Sequence, residues 1–111
     1  MVKYFDVTFL DEALEFINTA DLATRKKIYY CVQVAQYNRD SEFFKKLTGS
    51  QIWEFRVLIK RQHIRIFAFW DRRKEAYVVC THAMVKKTDK TPQKEIDKAE
   101  RIRVKYLNDE L

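Results

Sequence analysis

Glycine and proline are nearly absent: Gly49 and Pro92 are the only ones in 111 residues. Their scarcity argues against long flexible linkers, and no glycine pattern of the P-loop or dinucleotide-binding type is present. Cysteine is scarce as well. Cys31 and Cys80 sit inside apolar stretches with no CxxC and no histidine at ligand spacing. A zinc site or a disulfide framework is poorly supported, and two buried free thiols are expected. No apolar run approaches the ~20 residues that span a bilayer. The opening MVKYFDVTFL carries Asp6 and lacks the continuous apolar core of a secretory leader. The expectation is a cytoplasmic protein without membrane association.

Hydrophobic residues make up 47% of the chain, enough for one packed domain over residues 1–111. The net charge of +6 is unevenly distributed. Residues 1–50 hold 7 Lys/Arg against 7 Asp/Glu, whereas residues 51–111 hold 15 against 9. The positive field therefore belongs to the second half, which favours a polyanionic partner over a uniformly solubilising surface.

Periodicity suggests the elements. YFDVTF alternates over 4–9 as a half-buried strand, with Phe5, Val7 and Phe9 on one side. Leu10, Ala13, Leu14 and Ile17 recur at helical spacing, with Thr8 as the expected N-cap. A second helix is predicted from a cap at Asp21 to about Tyr37, with Ile28, Cys31, Val32 and Ala35 inside. Residues 39–51 read as a connector in which Gly49 supplies a positive φ. Three aromatic and β-branched runs follow, at about 52–59, 64–71 and 76–86, joined by the charged connectors KRQH and RRKE as antiparallel hairpins. His63 falls in the first connector. Thr91-Pro92 reads as N-cap plus N1 proline of a charged helix to about Asn108, with Ile96, Ala99, Ile102 and Tyr106 inside. The predicted fold class is α+β: strand, helix, helix, three strands, helix, with the helices as one layer on one sheet face.

Glu54 and Arg56 share the outer face of the first hairpin strand, Arg65 lies on the second strand, and His82 and Lys86 lie on the third. Lys87 closes that strand and Lys90 follows in the loop. If the strands are neighbours, these side chains gather on the uncovered face. Metal-independent RNA cleavage needs such a set: a base for the 2′-hydroxyl, cations for the charge that builds on phosphorus, and an acid for the departing 5′-oxygen. Arginine matches phosphate oxygens with a planar fork, and histidine titrates near neutrality. Each residue also has a plainer reading. Glu54 and Arg56 suit cross-strand ion pairs, His82 suits a half-buried histidine, and Phe69 and Trp70 suit core packing better than base stacking.

The stretches KLTGSQIWEFR, RIFAFWD and HAMVKKTDKTPQKEIDKA resemble the phage-derived, HigB-like branch of the RelE/ParE toxin superfamily, from about Lys46 to Ala99. The resemblance implies a RelE-like antiparallel sheet with helices packed on it. It further implies the toxin of a type II toxin–antitoxin system, a ribosome-dependent mRNA endonuclease (mRNA interferase) that cuts A-site codons without a cofactor or metal. By motif position, Arg56, Arg65, Lys86 and Lys87 would bind phosphate and stabilise the transition state, with Lys90 beside them. His82 stands at the motif histidine as acid or base, and Lys60 and Arg61 join as phosphate contacts. Ala83 and Met84 stand where the family's usual Gly and Phe follow that histidine. The implied partners are a cognate antitoxin, of helix-turn-helix type, and mRNA on the ribosome. ParE relatives instead poison DNA gyrase, and a degenerate antitoxin-binding remnant is a third reading.

Overall fold

The computed structural model describes residues 1–38, 40–86 and 90–111. In chain order the elements are β1 (Asp6–Phe9), α1 (Asp11–Thr19), α2 (Leu22–Tyr37), β2 (Phe44–Lys46), β3 (Trp53–Ile59), β4 (Gln62–Trp70), β5 (Tyr77–Lys86) and α3 (Gln93–Leu107). The strands form one sheet in the order β1-β5-β4-β3-β2. As expected for hairpin-linked runs, β3, β4 and β5 pair antiparallel. The α+β class therefore stands, with three helices packed against the sheet.

Several details differ from the sequence reading, each for a local reason. β1 joins the edge of the sheet parallel to β5, with Val7 opposite Val78, which makes the sheet mixed. The helical α1–α2 excursion carries the chain from this edge to the far one, where three residues of the supposed connector form β2 against β3. Thr8 is part of β1, so the N-cap of α1 is Leu10, which supplies no side-chain hydrogen bond. Asp21 does cap α2, accepting the Thr24 N–H at 2.8 Å. Gly49 takes a φ of 80°, a conformation that costs glycine no steric penalty.

The helices do not form one layer. Alternation along β3 and β4 turns Phe55, Val57, Ile64 and Ile66 toward α1 and α2, where they pack with Ile17, Ile28 and Cys31. Phe44 stacks on Phe55 with ring centroids 4.3 Å apart and on Trp53 at 4.8 Å. The alternate residues Phe67, Phe69 and Val79 point to the other side and pack against Ala99, Ile96 and Tyr106 of α3. The face expected to be uncovered is thus covered by α3. Each fully buried aromatic or aliphatic side chain contributes on the order of 1.5–3 kcal/mol, so Phe67 and Phe69 require that cover.

One irregularity sets which residues reach α3. Phe67 pairs with His82 while Ala68 pairs with Cys80, leaving Thr81 as the extra residue of a β-bulge. Before the bulge Tyr77 and Val79 face α3; after it His82 and Met84 do. A straight strand would have turned Thr81 and Ala83 that way instead.

Candidate active-site cluster

Glu54 sits at the centre of the α3 face and is fully buried. Two residues along β3, Arg56 donates its Nε–H to Glu54 Oε2 at 2.8 Å. Arg56 and Arg65 are cross-strand partners in the β3–β4 register, and Arg65 Nε lies 3.5 Å from the same oxygen. The other carboxylate oxygen accepts the Thr91 hydroxyl at 2.8 Å. Thr91 in turn accepts from the Lys86 ammonium at 3.2 Å. The structure therefore brings Arg56, Arg65 and Lys86 together from three strands. The plainer cross-strand reading also holds, since Glu54 is their shared counter-ion. Among the described residues three cations meet one carboxylate in this group. The Arg56 side chain is 39% exposed while that of Arg65 is 3% exposed, so Arg56 is the guanidinium that reaches solvent.

Thr91 was read as a helix cap. The cap position belongs to Pro92, and the Thr91 hydroxyl instead ties the segment before α3 to the ion cluster. Only the side-chain geometry shows this role, because Thr before Pro is a normal helix start.

His82 lies on the same face and is only 1% exposed. Its ring stacks on Phe67 at 4.9 Å. Nδ1 meets the Thr81 hydroxyl at 2.9 Å and Nε2 meets Glu95 Oε1 at 3.2 Å. Burial lowers its pKa below the ordinary histidine value, against the opposing pull of Glu95. The imidazole is therefore neutral near pH 7, and its Nε2 meets solvent-facing Glu95, whose side chain is 20% exposed. Sequence reasoning passed over Glu95, which stands in the acidic first turn of α3.

His63 is not in a turn. It belongs to β4, opposite Lys86, two residues from Arg65 and on the same face. It is partly exposed. The connector is shorter than KRQH implied. Only Lys60 and Arg61 make the turn, with φ values of 53° and 63°, the left-handed pair that a two-residue hairpin requires and non-glycine residues adopt at a cost.

The remaining expected contacts disperse. Lys60 forms an ion pair with Asp21 at the start of α2, which takes it toward the opposite face. Arg61 is exposed at the same tip, and Lys90 is exposed ahead of α3. Lys87 lies outside the described residues. Trp70 and Phe69 are core residues, as the packing reading held: Trp70 meets Phe5 and Trp53 edge-on at 5.2 and 6.0 Å, and Phe69 meets Tyr106 at 5.4 Å. Cys31 and Cys80 are free and buried. Among the described residues no group of three or more His, Cys, Asp or Glu side chains is placed to hold a metal ion. None of their helices is long and apolar enough to cross a membrane.

A family model described as "Phage derived protein Gp49-like (DUF891)" matches residues 15–104. No curated protein matches the chain. The matched segment contains α2, the whole β2–β5 succession and most of α3, and so every residue of the cluster.

Proposed function

The chain belongs to the phage-derived Gp49-like family, a RelE-like toxin family of type II toxin–antitoxin systems, and on that premise we propose that it is a HigB-like, ribosome-dependent mRNA endonuclease. A toxin of this family has a cognate antitoxin; we take that partner to be of helix-turn-helix type, and the site of action to be the cytoplasm. The whole of residues 1–111 would form one toxin domain.

The observation that carries this reading is the convergence of Arg56 and Arg65 on one buried carboxylate, to which Lys86 is joined through the Thr91 hydroxyl. Cations fixed in place by a framework of their own stabilise developing phosphate charge without reorganising as it forms. In this reading a phosphate oxygen approaches from the Arg56 side. Arg56 offers the N–H groups of its fork that Glu54 does not take, and Arg65 and Lys86 hold the field behind it. The 2′-hydroxyl attacks its neighbouring phosphorus, a base takes its proton, and the 5′-oxygen leaves with a proton from an acid. His82 serves through Glu95, the exposed end of that pair. His63, across from Lys86, is the second imidazole on this face and is added here as an acid–base candidate. Lys90, Arg61 and Lys87 would contact the flanking backbone, whereas Lys60, paired with Asp21, is left out of this set. No step draws on a cofactor or metal.

Arg56→Ala and Arg65→Ala are expected to lower cleavage of A-site-programmed mRNA by about 100-fold or more. Arg56→Ala should also cost about 1–3 kcal/mol of stability, because the buried Glu54 Oε2 loses its 2.8 Å partner. Absence of cleavage by the wild-type chain on such ribosomes would end the nuclease reading. The second reading, a ParE-like gyrase inhibitor or a degenerate antitoxin-binding remnant, is favoured by one observation: Glu54 already engages both guanidiniums, so part of their charge is answered within the fold. Inhibition of supercoiling without mRNA cleavage would select the first of these, and overexpression without growth arrest the second.

A further inference from the structure

At the opposite end of α3 from the cluster, a cavity of about 270 Å³ is lined by Gln51, Trp70, Arg72, Arg73, Arg103 and Leu107. Four segments meet there: the approach to β3, the end of β4, the β4–β5 turn and the last turns of α3. The three arginines are engaged to different degrees. Arg73 is fully committed. Its Nε and Nη2 grip the buried Asp71 carboxylate at 3.0 and 3.1 Å, Nη1 donates to the Leu107 carbonyl at 3.3 Å, and the guanidinium lies over the Tyr106 ring. Arg103 has one long contact, Nη2 to Glu100 Oε2 at 3.4 Å, while the other Glu100 oxygen accepts the Gln51 N–H at 3.0 Å. Arg72 rests over the Trp70 ring, 5.6 Å from its centroid.

Two residues of this lining carry buried N–H groups that meet no acceptor among the described residues: Trp70 at Nε1 and Arg103 at Nε. Orphaned buried donors are rare in native proteins, because each gives up its hydration and gains no partner in return. Two such donors belong to residues of one lining, beside the Arg72 charge, although Trp70 also borders a neighbouring cavity with Phe5 and Trp53; a lining this rich in donors suits an acceptor-rich anion. Asp71 and Glu100 are the acidic side chains in contact with these arginines. Asp71 is consumed by Arg73, and Glu100 is shared with the Gln51 backbone.

We propose that this cavity is a second phosphate site, which takes a phosphoryl oxyanion on the N–H groups of Trp70, Arg72 and Arg103. Donors that arrive from separate segments suit the spread oxygens of a tetrahedral phosphate, and arginine forks pair with two of them at once. Gln51 stands three residues before Glu54, and Trp70 three residues beyond Phe67, the cross-strand partner of Glu54, so this edge of the cavity lies about 10 Å along the strands from the buried carboxylate. Neighbouring phosphates of a single strand can therefore serve both sites. The oxyanion preference is independent of the nuclease reading; only an RNA backbone as its source rests on that reading.

The chain has two tryptophans, Trp53 and Trp70, so the indole N–H resonances of the isotope-labelled protein supply both a probe and a reference. Titration with inorganic phosphate should move the Trp70 resonance saturably and leave that of Trp53 in place. Arg103→Gln should weaken the effect about tenfold or more, the loss expected for a charge-assisted hydrogen bond. A 2′-O-methyl oligoribonucleotide, which cannot be cleaved, separates the sources. Tighter binding than phosphate supports an RNA backbone, and binding no tighter supports free phosphate; either supports the site. No Trp70 response to phosphate or oligonucleotide overturns the proposal. So does a response to polyglutamate without one to phosphate, which would mark a carboxylate-bearing protein partner. A Trp70 response in a chain that cuts no mRNA would remove the nuclease reading and leave the site.

Discussion

Toward α1 and α2, strands β3 and β4 present Phe55, Val57, Ile64 and Ile66, a surface of rings and hydrocarbon. Toward α3, the same two strands with β5 present Glu54, Arg65, His82 and Lys86 among Phe67, Phe69 and Met84. The first face gains from every contact it buries. The second face encloses charges, which lose hydration and recover it only through one another. Its helix is also held differently. Ala99 is the one buried residue of α3, and polar links do much of the attachment: Thr91 to Glu54, Glu95 to His82, Glu100 to Gln51 and Lys98 to Glu12. One side of the sheet thus secures the fold, and the other holds charge in position at the expense of stability.

Phe55→Ala should mark the stabilising face with the largest effect, a loss of about 3–5 kcal/mol by denaturant unfolding, and any chain that remains folded should bind a non-cleavable oligonucleotide as before. Glu54→Gln should behave differently. Removing the shared counter-ion of a buried cluster is expected to cost about 3 kcal/mol while raising oligonucleotide affinity, because the cations lose their internal partner. Filter binding together with thermal unfolding would read both; lower stability with unchanged affinity would make the cluster purely structural.

A smaller effect belongs to His82. Its folded pKa is depressed, so the folded chain resists protonation that the unfolded chain accepts near pH ~6.5. Its contribution is complete above that pH and is lost as pH falls through the folded value. His82→Gln should flatten the decline in stability below about pH 6.5 that the wild-type chain shows. The smallest is Asp21→Ala, about 1 kcal/mol from the lost cap of α2, with no change in cleavage because the Lys60 pair lies toward the other face.

The first face was readable because its residues alternate with polar ones along β3 and follow the helical stripe of α2. The second was harder. β4 reads IRIFAFW, and its apolar residues on both sides already imply cover on both sides; Phe67 and Phe69 were the available sign that α3 packs there. The meeting of Arg56 with Arg65 follows from simple hairpin pairing. The placement of His82 and Lys86 depends on a bulge, which no period-two pattern reveals. Thr91 was read only as a cap and Glu95 was passed over because helix starts use the same residue types for capping and first-turn charge. His63 was misplaced because two left-handed cationic residues turn the chain without the usual Asn-Gly.

The bulge at Thr81 has a genetic consequence. Thr81 is supernumerary in the strand's count of sides, since Cys80 faces α1 and α2 and His82 faces α3 whether or not a residue intervenes. Loss of the three nucleotides that encode it would remove the hydroxyl beside the imidazole and leave the orientation of every later residue unaltered. Loss of the codon for Ala83 would exchange the sides of Met84 and Lys86, sending the ammonium away from Glu54. Two in-frame deletions two codons apart would thus have opposite effects, one preserving the cluster and the other dismantling it.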